Sequence, residues 1–317
     1  MNEKLALAVF ASETGMHLVQ PPDTVRWREH LRRFDADAYE RRLAERGYRF
    51  VSGLPALLRA IHDPPPGLFV RGLAPVEMLA RPAVAIVGAR ACSGYGASVA
   101  RSLGRELAAA GLVVVSGLAR GVDGEAHRGA LDAGGSTVAV LGCGIDRDYP
   151  AAHADLARRI AETGGLIVSE YALGVEPAPW RFPARNRIVA GLAAATVVVE
   201  ARERSGALIT TDLALEEGRE VFAVPGEITS ALSAGTNALL RLGASPLTRA
   251  ADVLCSFGIE PDACESVADP LLELLPASAD EIVRRTGRPA AEVAAALVAL
   301  ELDGRATVHD RVYRRAS

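Results

Sequence analysis

From Ala83 onward the chain alternates short, continuously apolar runs with longer amphipathic stretches, and that rhythm admits few folds. Runs rich in Val, Ile and Ala, without polar alternation, suit strands buried on both faces, and the amphipathic stretches between them supply helices to cover those faces. The pattern predicts strands at Ala83–Val87, Leu112–Ser116, Thr137–Leu141, Leu166–Ser169, Thr196–Glu200 and Glu220–Ala223, with helices near Ala97–Ala110, Gly124–Ala133, Ala152–Thr163 and Ala207–Glu217. The expected fold class is α/β, a doubly wound, mostly parallel sheet over residues 81–256.

The flanks read differently. A polar, Pro-containing stretch predicts a linker over 257–268. Residues 269–317 follow, with Ser278 and Glu281 at capping-box spacing, a turn at Thr286-Gly287, and Pro289 where a first helical residue belongs. The second helix runs to about Asp303, and Ala306–Val308 and Arg311–Tyr313, joined through His309-Asp310, suit a hairpin; together these predict a winged-helix module. Residues 1–80 predict an abbreviated helical segment, helical in Thr24–Arg46, then a Pro- and Gly-punctuated lead-in.

Composition sets the outer limits. With 50% hydrophobic and 23% charged residues the chain can bury a core, which excludes bulk disorder. Cys92, Cys143, Cys255 and Cys264 form no Cys-x-x-Cys pair and no Cys/His cluster, so the chain reads as cytoplasmic, metal-free and without cofactor. The longest apolar stretch, Ile188–Val199, falls well short of the ~20 residues a bilayer span needs. The run Leu5–Ala11 after Lys4 is only a faint likeness to a secretion signal. A net charge of −4 means that any polyanion must be bound by a local basic pocket rather than by the whole surface.

Such a pocket is written into the loops at the carboxyl edge of the predicted sheet. The first strand ends in Gly88-Ala89-Arg90, and Ser93, Gly94 and Gly96 precede the next helix. Backbone N–H groups at a helix start face an anion, and glycine lets it approach. A nicotinamide site would need an acidic residue at the end of the second strand, where Val115-Ser116-Gly117 stands instead. The second loop, Ser116-Gly117-Leu118-Ala119-Arg120-Gly121-Val122-Asp123, adds an arginine. Asp123 and His127, four apart, fit either an acid/base pair or an N-cap with a structural hydrogen bond. Cys143 has no base partner in sequence and reads as a small buried thiol. Trp180-Arg181-Phe182-Pro183-Ala184-Arg185-Asn186-Arg187, in a long irregular stretch, interleaves guanidinium groups for phosphates with rings for bases. Ser205-Gly206 opens a further helix at the same edge.

Taken in order, Ile86-Val87-Gly88-Ala89-Arg90, Ser116 to Asp123, Leu141-Gly142-Cys143-Gly144, Phe182 to Ile188, Ser205 to Thr211 and Ala223-Val224-Pro225-Gly226 resemble the DprA (DNA-processing protein A, or Smf) family of bacteria. The resemblance implies an extended Rossmann-like domain that binds single-stranded DNA without catalysing a reaction. It further implies protection of incoming DNA in natural transformation, loading of the RecA recombinase, and a homodimer formed through the Rossmann-like domain. By position, Gly88 and Arg90 would hold phosphate, Arg185, Asn186 and Arg187 would line the pocket, and Ser116, Gly117, Arg120, Ser205 and Gly206 would form its floor. The alternative, a related phosphoribohydrolase acting on nucleoside monophosphates, carries a Pro-Gly-Gly-x-Gly-Thr-x-x-Glu signature; here Pro225-Gly226 runs on into Glu227-Ile228-Thr229. The predicted winged-helix second helix, Pro289–Leu302, has no Arg or Lys, which favours packing or partner docking over base readout.

Overall fold

The computed structural model describes residues 2–16, 18–260, 270–302, 306–309 and 312–315. They fall into two compact units, 1–259 and 260–317, each with its own core. In the larger unit nine strands make one sheet: β1 (Tyr48–Val51), β2 (Leu68–Arg71), β3 (Ala83–Val87), β4 (Val113–Ser116), β5 (Thr137–Leu141), β6 (Leu166–Ser169), β7 (Ala195–Val198), β8 (Glu220–Ala223) and β9 (Ser245–Pro246). Their spatial order is β1-β2-β6-β5-β4-β3-β7-β8-β9. The first two contacts in that row are antiparallel and all the others parallel.

The chain steps outward from β3 to β6, then returns to the other side of β3 to lay down β7, β8 and β9. The crevice outside the carboxyl ends at such a reversal is where open α/β sheets bind ligands. Register fixes it here: Val84 lies opposite Ala195 and Val87 opposite Val198, and the Ala89 N–H donates to the Glu200 carbonyl at 2.7 Å.

Strand β3 shows why continuous apolar runs were needed. Ala83, Ala85 and Val87 pack on one face with Val113, Val115, Ile188, Val189 and Val198. Val84 and Ile86 pack on the other with Ala100, Leu103, Leu107, Val122 and Ala126. Truncating a fully buried aliphatic such as Ile86 to alanine costs about 2–5 kcal/mol.

The boundary expected at residue 80 does not exist, because β1 and β2 extend the same sheet beside β6. The apolar run at Leu5 belongs to the helix Glu3–Thr14, in which every residue from Leu5 to Phe10 is buried. The single helical stretch expected over Thr24–Arg46 is two helices, Val25–Arg33 and Ala36–Ala44. They break at Phe34-Asp35, where Asp35 caps the second by accepting the Ala38 N–H at 2.9 Å. This N-terminal helical unit grips the irregular segment after β6: the Ser12 hydroxyl accepts the Ala172 N–H at 3.0 Å, and the Tyr39 hydroxyl accepts the Leu173 N–H at 3.1 Å.

In the smaller unit the helices Pro270–Glu273, Ala279–Thr286 and Ala290–Leu302 surround Leu271, Ile282, Val293 and Leu297. An antiparallel sheet of β10 (Ala277–Ser278), β12 (Val312–Arg315) and β11 (Ala306–His309), in that order, completes a winged-helix arrangement. The Ser278 hydroxyl accepts the Glu281 N–H at 3.3 Å, and Gly287 ends its helix at φ +68°. Residues 261–268 of the expected linker, Cys264 among them, and Asp269, Asp303, Asp310 and Arg311 of the expected winged-helix module lie outside the described residues.

Candidate nucleic-acid interface

A cleft of about 420 Å³ opens at the reversal point, above the carboxyl ends of β3, β4 and β7. Gly88, Arg90, Gly117, Arg185, Asn186, Ser205 and Gly206 line it, together with Phe182, Arg202 and Arg204. Seven of the ten expected site residues therefore meet in one place. Ser116, Arg120 and Arg187 do not.

The reasons are local. Ser116 is buried, and its hydroxyl donates to the Ile86 carbonyl at 2.6 Å, binding β4 to β3 rather than facing a ligand. Arg120 is exposed and is not among the residues that line the cleft. Arg187 is only 11% exposed and gives both guanidinium ends to Glu170, at 2.7 Å each, while its Nε lies 3.0 Å from Asp63. Its charge is spent inside the protein, so it is not a phosphate ligand of the cleft.

Arg185 does reach the cleft, but from below. It is 4% exposed and comes from the helix Arg181–Leu192, formed where an irregular stretch was expected, with Pro183 in its first turn. The guanidinium donates to the Gly117 carbonyl at 2.8 Å and to the Val140 carbonyl, tying together the ends of β4 and β5. Beside it, Asp123 accepts the Gly117 N–H at 3.0 Å and the Ala119 N–H at 3.3 Å. Leu118 between them is held at φ +57°, a costly conformation for a branched residue, with its carbonyl bonded to His153 Nδ1 at 3.0 Å. Burial raises the Asp123 carboxyl above the usual carboxylate range, opposed by Arg185. Burial likewise lowers the Arg185 guanidinium, opposed by Asp123.

Asp123 is thus committed to the loop, and it makes no pair with His127. The Thr137 hydroxyl donates to the Val114 carbonyl at 2.7 Å, so His127 Nδ1, 2.7 Å from that hydroxyl oxygen, carries the proton and donates. Burial holds the imidazole neutral, its pKa lowered to about 3. Burial pushes the Cys143 thiol up to about 11, as suits a packed rather than nucleophilic cysteine.

The first helix start is also taken. Glu200 is buried, and its carboxylate accepts the Ser93 N–H at 2.8 Å and the Ser93 hydroxyl at 2.5 Å. A Cβ on Gly96 would stand 2.4 Å from that carboxylate. The anion expected at the N-terminus of the helix Gly94–Ala109 is therefore the protein's own.

What stays open is the start of the helix Gly206–Glu216 and three cations. Ser205 caps that helix by accepting the Ala207 N–H at 3.3 Å, and Gly206 has no neighbour within 4 Å of a notional Cβ. Arg90, Arg202 and Arg204 are exposed and line the cleft, and none forms an ion pair with a carboxylate among the described residues. Arg90 lies over the Phe182 ring, 5.4 Å from its centroid. Arg202 and Arg204 were missed in the sequence reading, although Arg202-Glu203-Arg204 directly precedes Ser205-Gly206. Three exposed cations, a helix N-terminus and an aromatic ring around one cleft are the kinds of group that suit phosphates with bases attached.

A family model, DNA recombination-mediator protein A, matches residues 47–258, and the DprA winged helix domain matches 260–310. Protein Smf of Escherichia coli is 42% identical over 269 residues, covering 79% of this chain and 71% of that protein. The X-ray structure of DNA processing protein A from Streptococcus pneumoniae superposes with a TM-score of 0.68 at 37% identity, over 80% of this chain and 93% of that one. A structure of the Helicobacter pylori protein, determined for its single-stranded DNA binding mode, superposes with a TM-score of 0.61 at 32% identity, over 66% and 95%. With both units matched in order, the chain belongs to the DNA recombination-mediator protein A (DprA/Smf) family.

Proposed function

We propose that this protein binds single-stranded DNA in the cleft, catalyses no reaction on it, shields it, and delivers it to the RecA recombinase during natural transformation. The carrying observation is the set Arg90, Arg202 and Arg204, all exposed and forming no ion pair with a carboxylate among the described residues, around one 420 Å³ cleft in a chain of net charge −4. The Helicobacter pylori relative supports the choice of single strands. Against an enzyme stands the use already made of Asp123, the carboxylate among the described residues lining the cleft, which is held by two backbone N–H groups. RecA delivery, and with it a cytoplasmic location, rest on family membership. No helix among the described residues is long and apolar enough to cross a membrane.

Homodimerisation belongs to the same reading. A second groove of about 450 Å³, lined by Leu208, Ile209, Leu239 and Leu242, shares Arg204, Ser205 and Gly206 with the cleft. Leu242 is 84% exposed there. A second copy on that groove would set two clefts along one strand, lengthening the track.

The test is fluorescence anisotropy of labelled oligothymidylate with wild-type protein and with Arg90→Ala. Tight wild-type binding that weakens in the variant is expected. Absence of binding by folded wild-type protein overturns the proposal.

A further inference from the structure

Phe182 in the wall of the cleft carries a second ring stacked on it, and that outer ring is exposed. Tyr149 lies on Phe182 with ring centroids 5.2 Å apart and planes 26° from parallel. Arg90 covers the same Phe182 ring from 5.4 Å. Phe182 is thereby engaged by a cation and a phenol, and the column ends at Tyr149, which is 41% exposed. Its hydroxyl has no hydrogen-bond partner among the described residues. An exposed ring beside a cationic cleft, stacked on one side, is a platform of the kind single-stranded nucleic acids use.

The platform is held rigid from below. Asp146, three residues upstream, accepts the Gly174 N–H at 2.9 Å. Arg147 pairs with Glu176 at 2.6 Å, and Asp148 with Arg71 at 2.6 Å. With the side chains of the three preceding residues tied to Gly174, Glu176 and Arg71, Tyr149 loses little further freedom when a base lands on it. The column also links the two halves of a nucleotide contact: a phosphate held near Arg90 and a base on the far ring belong to one strand running along the Phe182 wall.

We propose that Tyr149 is a base-stacking subsite, taking a nucleobase of the strand whose phosphates lie at Arg90, Arg202 and Arg204. This rests on the single-strand reading of the cleft. It adds to that reading a requirement for bases and not phosphates alone, and it predicts tolerance of sequence, since every base has a π-face.

The test compares labelled oligothymidylate with an abasic oligonucleotide of equal length, using wild type, Y149A and Y149F. Y149A should weaken oligothymidylate binding about tenfold, the loss of one base stack, and leave abasic binding and the salt dependence unchanged. Y149F, which keeps the ring, should bind both as wild type does. Y149A binding oligothymidylate like wild type, or losing both substrates equally, overturns the subsite while leaving the cleft intact. Wild-type protein that binds neither oligonucleotide overturns the cleft and the subsite together.

Discussion

Replacing Arg202 with alanine should flatten the salt dependence of single-strand binding by a definite amount. Three exposed cations, Arg90, Arg202 and Arg204, line the cleft without carboxylate partners among the described residues. Each phosphate neutralised on a single strand contributes a slope of about −0.7 in log affinity against log salt, so the wild type should show about −2 per cleft and Arg202→Ala about −1.4. Between 50 and 200 mM salt that is roughly a twentyfold loss for the wild type and roughly a sevenfold loss for the variant. Anisotropy titrations of labelled oligothymidylate at four salt concentrations resolve the difference. Arg187→Met is the control, because its guanidinium already serves Glu170 and Asp63. An Arg202→Ala slope equal to the wild type, or an Arg187→Met slope lowered as far, would refute the assignment of charges.

Arg187→Met should instead destabilise the larger unit by about 3 kcal/mol, since Glu170, 9% exposed, loses its bidentate cation; thermal unfolding of variant and wild type checks this. Gly121→Ala should cost about 2–4 kcal/mol and weaken DNA binding several-fold. Gly121 sits at φ +75°, with a Cβ position 2.3 Å from the Ala89 carbonyl and 2.7 Å from that of Arg90, so the loop carrying Arg90 must move; chemical denaturation and the anisotropy titration read the two effects. His127 makes stability depend on pH. Its folded pKa, about 3, lies below the unfolded value of 6.5, so the unfolded state binds the extra proton between them. The stabilisation is complete above pH 6.5 and falls by about 1.4 kcal/mol per pH unit towards the folded pKa. Denaturant midpoints from pH 7 to pH 4.5 should show this limb in the wild type and a shallower one in His127→Gln.

The core of the fold was legible because burial on both faces leaves no room for polar alternation. Ala83–Val87, Thr137–Leu141, Leu166–Ser169 and Glu220–Ala223 end in the structure where their apolar runs end. The antiparallel strands β1 and β2 were not legible: Tyr48–Val51 and Leu68–Arg71 are short, carry arginines, and lie among prolines and glycines. The helix Arg181–Leu192 was hidden because its polar first half and apolar second half mask any helical period. In the site, residue type located the cleft but not the use of each charge. Arg90, Arg185 and Arg187 look alike in sequence; only packing separates an exposed cation from a strand tie and from an internal ion pair. Arg202 and Arg204 were not legible because Arg202-Glu203-Arg204, a short run of mixed charge, looks like any solvated loop. Glu200 carried no signal at all, since its partner Ser93 is distant in sequence.

The most direct test of the central claim is hydrogen exchange of the full chain with and without saturating oligothymidylate. If single-stranded DNA lies in the cleft, amides of Ala89–Ala91 and Arg204–Ala207, which line it, should slow on binding, with those of the winged-helix helix Ala290–Leu302 unchanged. Protection confined to residues 270–302, with the segments around Arg90 and Ser205 exchanging as before, would contradict the account.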